Sequence, residues 1–557
     1  MNIRSVISLA VPLGLSAATR LWAQSPEQHA HDLGVVDFRV SCSAAAQAEF
    51  NTGVALLHHM TYPDARQSFA RAAAADSTCA MAYWGMAVTL FQPLWPTRPS
   101  PDALSRGWEL TRQAEARRPP TERERLFVAA ARAFFLDPAS PDYWLRVRRW
   151  EAAMARAYVA LPGDDDAATF YALALLAASP ADNVGARAHA DSAAAILLPV
   201  YQRNPRHPGV MHYLVHADDV AGREHQLLNV TRRYDSLAPD NPHALHMPTH
   251  IYTRLGEWDG VISGNRRAAQ AALAHPAGPH GEFVWDEFPH AVEYLIYAYL
   301  QQGADDRAAS ELSRLRSTER LEPTFKTAFH LASTGSRFVL ERRAWGEAAA
   351  LAPREPATLD WDRYPWAEGV VQFTRGLGAA HLHDSGAARA ASERLVALEA
   401  RARQAGEGLF AQNIRLLALE LNAWVTHLAG NPDSALALMR SATELELSTP
   451  KHAVTPAPTL PAYELLGDLL LELKRPGDAL SAYRRSLALY PNRFNSLLGA
   501  ARAARASGQR TAARGYYRQL LSVARCSTRE AALSEAGAYT RTARSPVPAP
   551  VSCPGNG

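Results

Sequence analysis

His212 and His216 are four residues apart, and so are His246 and His250, the second pair repeating the first further along the chain. On a helix, positions i and i+4 lie one turn apart on the same face, so each pair can offer two imidazole nitrogens to one ion. Ten of the twenty histidines (His207, His212, His216, His225, His243, His246, His250, His275, His280 and His290) fall within residues 207–290. Even scatter over 557 residues would put about three there. Such a set suits one transition metal, Zn, Fe, Cu or Mn, with a carboxylate completing the shell. Two other readings fit the same residues. One is a polar, titrating groove for an acidic or aromatic peptide; the other is plain packing of hydrogen-bonded imidazoles.

The elements that must carry these side chains follow from the interval between the pairs, His212 to His246 and His216 to His250. It is the period of a helix-turn-helix unit that cannot bury its apolar face alone and so stacks on its neighbours. From Leu460 to Pro491, the residues Tyr463, Leu466, Gly467, Leu470, Ala479, Tyr483 and Pro491 occupy the W-x2-L-G-x2-Y, A-x3-F and P positions of such a unit. Gly53, Ala65, Phe69 and Ala72 form an early unit, and Tyr83, Met86 and Ala87 open the next. Pro208–Pro239 and 242–271 make two consecutive units, followed by one opening at Pro289. On these residues the chain resembles the tetratricopeptide-repeat family. The resemblance implies an all-α solenoid of stacked helix pairs wound as a right-handed superhelix. Between Ser100 and Pro205, and again between Arg307 and Trp366, the signature is weak and irregular helical pairs are expected.

Aligned on that repeat, His212 and His246 share position five and His216 and His250 share position nine, so the four form a two-by-two patch. In the next unit Glu293 takes position five and His290 position two. The resemblance implies that these positions line the concave groove, making His212, His216, His246, His250, Glu293 and His290 the candidate ligand or metal site. An aspartate among Asp218 and Asp219 could orient an imidazole from behind. His58 and His59 read as a partly exposed helix end. The aromatic stretch from Leu90 to Pro99 is either a ligand lip or a loop packed on a neighbour.

Composition narrows the function classes. A net charge of +3 with interspersed signs argues against nucleic acid as a partner. The sequence contains no phosphate-binding loop, nucleophile elbow or dinucleotide fingerprint, so any catalysis would fall to the histidines. The first residues, with an early arginine, an apolar stretch and a cut after Ala23, read as a secretory leader, which places the mature chain in the periplasm or outside the cell. No later apolar run approaches the about 20 residues of a membrane span. Four cysteines in an exported chain pair most simply as Cys42 with Cys79 and Cys526 with Cys553. The expected organisation is a leader over 1–23, repeats over 24–205, histidine-rich repeats over 206–305, irregular repeats over 306–455, a repeat pair over 456–525 and a tail over 526–557. The chain also resembles exported bacterial repeat proteins in which the blocks beginning at His212, His243 and His290 recur, which implies a shared groove function. Two functions stay open: a scaffold binding a protein, peptide or small ligand in its groove, and a metal-dependent hydrolase or oxidoreductase.

Overall fold

The computed structural model describes residues 33–95, 98–179, 186–278 and 281–541. Its repeat logic is clearest where a large ring meets small residues. The Phe69 ring lies against Gly53 of the preceding helix and Gly85 of the following one; a Cβ added at either glycine would sit 2.7 or 2.3 Å from it. Tyr483 repeats the arrangement between Gly467 and Gly499, where the same distances are 2.7 and 2.3 Å. In both places the ring stands midway in sequence between its two glycines, so a single seam chemistry closes repeats at opposite ends of the chain. Glycine is required there because neighbouring helices approach too closely for a side chain.

Most consecutive helices pack on one another, from Ala44–His58 with Tyr62–Ala75 to Phe494–Ala506 with Arg510–Val523. Among the described residues the fold is all-α, a run of helices packed on their chain neighbours. Its only sheet among the described residues is a two-residue antiparallel ribbon, Pro276–Ala277 against Phe283–Val284. The weak-signature stretches are also helical, as Glu122–Phe135 and Phe325–Glu341 show. Thr121 and Glu124 cap the first of these reciprocally, as the sequence spacing predicts. A disulfide joins Cys42 and Cys79, 37 residues apart, and ties the first repeat to the second. Cys553, the expected partner of Cys526, lies outside the described residues, as does the leader.

One histidine-bearing helix departs from the expected continuous form. Pro248 has no N–H to offer, and the unit's first helix divides at Met247 into Pro242–His246 and Pro248–Leu255. Met247 keeps right-handed helical dihedrals, φ −54° and ψ −42°, so only the hydrogen-bond ladder is interrupted and His246 and His250 stay one turn apart.

The solenoid also folds back on its histidine-rich middle. Buried Arg493 donates to Glu464, Glu341 and the Tyr297 hydroxyl, and Trp258 donates to the carbonyl of Asn492. Buried Arg337 donates to the carbonyls of Ala457 and Pro458 and to Thr455 Oγ1, pinning the 449–461 connector across the middle repeats. Arg98 reaches Glu407 at 2.9 Å across the opening. These contacts enclose a cavity of about 1230 Å³ whose wall includes Asp219, Arg254, Lys451 and Glu446.

The seam can be tested at Gly499. Gly499→Ala should destabilise the chain by about 1–3 kcal/mol through overpacking on Tyr483. Gly515→Ala, in a helix where an added Cβ meets nothing within 4 Å, should be neutral or stabilising by up to about 1 kcal/mol. Urea unfolding followed by far-UV circular dichroism compares the two; equal effects would contradict the seam.

Candidate metal centre

Six imidazoles converge in two groups of three, His212 with His216 and His243, and His246 with His250 and His290. Within each group the potential ligand atoms lie within 4.8 Å of one another. Neighbouring rings of the two groups are close as well, with His216 and His250 centroids 6.3 Å apart and His243 and His246 also 6.3 Å apart.

The outer nitrogens determine where the protons are. His212 Nδ1 is 2.6 Å from the carbonyl of His58, which can only accept. His243 Nδ1 is 3.0 Å from Glu287, and His250 Nδ1 is 2.8 Å from Asp219. His246 Nδ1 meets Asn265 Oδ1 at 2.6 Å, and that amide's nitrogen donates to the Val261 carbonyl, which fixes its orientation. His290 Nδ1 meets His330 Nε2 at 3.0 Å, while His330 Nδ1 donates to Glu293 at 2.5 Å. In each of these five rings a neutral imidazole carries its proton on Nδ1 and leaves Nε2 as a lone pair.

The lone pairs then point at one another. His212 Nε2 and His243 Nε2 are 3.0 Å apart, and His246 Nε2 and His250 Nε2 are 2.9 Å apart. Neither pair has a proton to share while the rings are neutral. Burial, followed by the neighbouring imidazoles, holds His212, His246 and His290 well below the ordinary histidine value, and burial lowers His250 despite Asp219. A cation between the nitrogens would turn this repulsion into ligation.

Around the rings, buried carboxylates supply negative charge. Burial opposes ionisation of Asp219, but Lys451, Arg254 and His250 hold it well below the usual carboxylate range. Lys326 and His243 do the same for Glu287. Such acceptors behind ligating imidazoles fix ring orientation and raise basicity.

The predicted site residues are thus placed as follows. His212, His216, His246, His250 and His290 come together: both i, i+4 pairs have ring centroids 4.8 Å apart, His216 and His250 lie 6.3 Å apart across the two units, and His243 and His290 each complete one pair as a triad. Glu293 does not reach either triad: it is fully buried and bonded to His330, Ser333 and Arg337. His243, adjacent in sequence to the candidates, completes the first triad. Five of the six rings are buried and only His216 is partly exposed, so the site is an interior one with His216 alone bordering a chamber. His225 is exposed and away from it, and His280 lies outside the described residues. His58 and His59, expected at a partly exposed helix end, are wholly buried because the repeat 208–234 packs over them: His58 bonds the Tyr213 hydroxyl and His59 the Tyr234 hydroxyl.

His330 and Lys326 escape a reading based on the repeat because they lie in the stretch of weak signature. A signal was present: Lys326, His330, Ser333 and Arg337 recur at spacings of four, three and four, a polar stripe on one face of an apolar helix, and all four are buried. Lys451, which pairs with Asp219 at 3.0 Å from a connector far along the chain, left no local trace.

No protein-family profile matches the chain, and no curated protein matches it. Among solved structures it is similar to the crystal structure of the APC/C hetero-tetramer Cut9-Hcn1, at 12% identity over 90% of this chain and 97% of that one, with a TM-score of 0.28. The repeat assignment rests on the helix pairs and glycine seams, not on that likeness.

Burial of the imidazoles has a measurable consequence at His59. Burial, with His243 and His207 adding to it, lowers its pKa to about 4 although the Leu33 carbonyl opposes this. Below the unfolded value of about 6.5, the unfolded chain takes up a proton that the folded chain refuses, so stability is full above that pH and falls until about 4, by about 3 kcal/mol in total. The difference in unfolding free energy between the wild type and His59→Asn should therefore shift by that amount between pH 7 and pH 4, against the wild type. A pH-independent difference would contradict the burial argument.

Proposed function

We propose that the chain is an exported metal-binding solenoid that holds two transition-metal ions, one in each histidine triad, and presents them to a ligand in its enclosed groove. The observation that carries this reading is the opposition of two pairs of Nε2 lone pairs at 2.9–3.0 Å, each nitrogen deprived of a proton by an acceptor behind its ring. Plain packing would favour rings that donate to one another. A metal-free peptide groove would favour imidazoles facing solvent, whereas five of these are buried.

An all-imidazole donor set suits Zn, Cu or Fe and disfavours Mn, Mg and Ca, which prefer oxygen. Three imidazoles leave a coordination position open, and an ion so held supplies Lewis acidity or electron transfer to a bound ligand. Hydrolysis or oxidoreduction are the reaction classes this supports. The Cys42–Cys79 disulfide and the leader pattern support an oxidising compartment outside the cytoplasm. The scaffold reading, in which the repeats receive a protein or peptide, draws its support from the cavity of about 1230 Å³, which none of the six imidazoles lines.

Elemental mass spectrometry on the untagged chain from Gln24 onward decides between them. After reconstitution and dialysis, the wild type should retain about two ions, His243→Ala and His290→Ala about one each, and the double variant close to none, with unchanged circular dichroism. A wild type that retains no metal after reconstitution, or variants that retain as much as the wild type, would overturn the proposal and leave the scaffold.

A further inference from the structure

His216 differs from the other five imidazoles of the triads. Among the described residues nothing accepts from its Nδ1, and its ring borders a chamber of about 150 Å³ that opens beside the larger cavity. The chamber wall is apolar over Leu94, Trp95, Leu176 and Phe410. Trp95 also packs on His243, with ring centroids 5.5 Å apart, so the wall and the first triad are continuous.

The wall carries two cations, Arg98 and Lys451, and two carboxylates, Glu407 and Asp219. Arg98 is held by both oxygens of Glu407, at 3.1 and 2.9 Å, and is neutralised there. Among the described residues Asp219 is the only other carboxylate lining the chamber, and it is shared between Arg254 and Lys451 as well as His250. Arg254 reaches Asp219 from outside the chamber lining, so Lys451 has only a shared carboxylate as its counter-charge on this wall. The Lys451 ammonium has three donors, of which Asp219 takes one at 3.0 Å and the Thr455 carbonyl another at 3.3 Å. The third is left for whatever the chamber holds. The position of Lys451 is itself built: buried Arg337 binds Thr455, Ala457 and Pro458 of the same connector.

We propose that this chamber binds a small organic acid, its carboxylate paired with Lys451 and its apolar body against Trp95, Leu94 and Phe410, beside His216. An inorganic anion would leave the apolar wall uncovered, and an amine would meet an ammonium whose carboxylate partner is shared with Arg254. The inference deepens the metal-centre reading by naming a substrate class, yet the site is formed by residues that do not belong to either triad.

Isothermal titration calorimetry on the full mature chain, both metal-free and Zn-loaded, tests it with benzoate, benzyl alcohol, benzylamine and inorganic phosphate. Benzoate should bind in preference to the other three. Lys451→Met should weaken benzoate by about tenfold or more, the loss of one desolvated charge pair. Lys451→Arg, which keeps the charge, should retain most of the affinity and guards against a merely structural effect. Equal binding of benzoate and benzyl alcohol, binding of phosphate alone, or indifference to Lys451→Met would overturn the proposal. The two readings fail separately: Lys451-dependent benzoate binding in a chain that takes up no metal keeps the acid site and sinks the metal centre, and a metal-loaded chain that ignores benzoate does the reverse.

Discussion

An imidazole has one proton to place when neutral, and in this protein that proton is committed outward. The carbonyl of His58, Glu287, Asn265, Asp219 and His330 each take it from a ring whose other nitrogen faces another ring. Buried rings resist a second proton, so the inward nitrogens of these five rings stay without one, about 3 Å apart within each pair, and only His216 is free to turn a proton toward His212. Much of the surrounding structure can be understood as what is needed to hold that arrangement in place. Stacked repeats bring the helices into register, the i, i+4 spacing on each helix brings His212 to His216 and His246 to His250, and buried ion pairs keep the outer acceptors ionised.

Those ion pairs explain why the solenoid closes on itself. Asp219 and Glu287 could not stay charged inside a protein without Lys451, Arg254 and Lys326, and Glu293 could not without Arg337. Lys451 comes from a connector in the C-terminal part of the chain, so the middle repeats acquire their electrostatic balance only when the later repeats dock. Arg493, wholly buried between Glu464, Glu341 and Tyr297, fastens that docking. Fold and site are thus coupled through a few buried cations, and the groove is a consequence of the same closure.

Much of this was legible in the sequence. The recurrence of the histidine pairs and the spacing of Gly467 and Tyr483 specify the helix pairs because packing at a repeat seam is local and periodic. The Cys42–Cys79 link could be expected for the same reason, since it joins the starts of adjacent units. The histidine cluster stood out through density alone. What could not be seen was which rings meet: His243 was left outside the candidate set, Glu293 was given a ligand's place because repeat alignment assigns faces but not reach, and the His330 stripe fell where the repeat signature fades. The Lys451–Asp219 pair depends on closure between segments distant in the chain, and no local pattern encodes it.

The central claim concerns where ions sit, and anomalous X-ray diffraction from crystals of the metal-reconstituted chain addresses it most directly. Data collected on either side of the metal's absorption edge should show two peaks, one among His212, His216 and His243 and the other among His246, His250 and His290, each within about 2.0–2.2 Å of three Nε2 atoms. Absence of anomalous density at both triads, with the metal found only on surface histidines such as His225, would contradict the account.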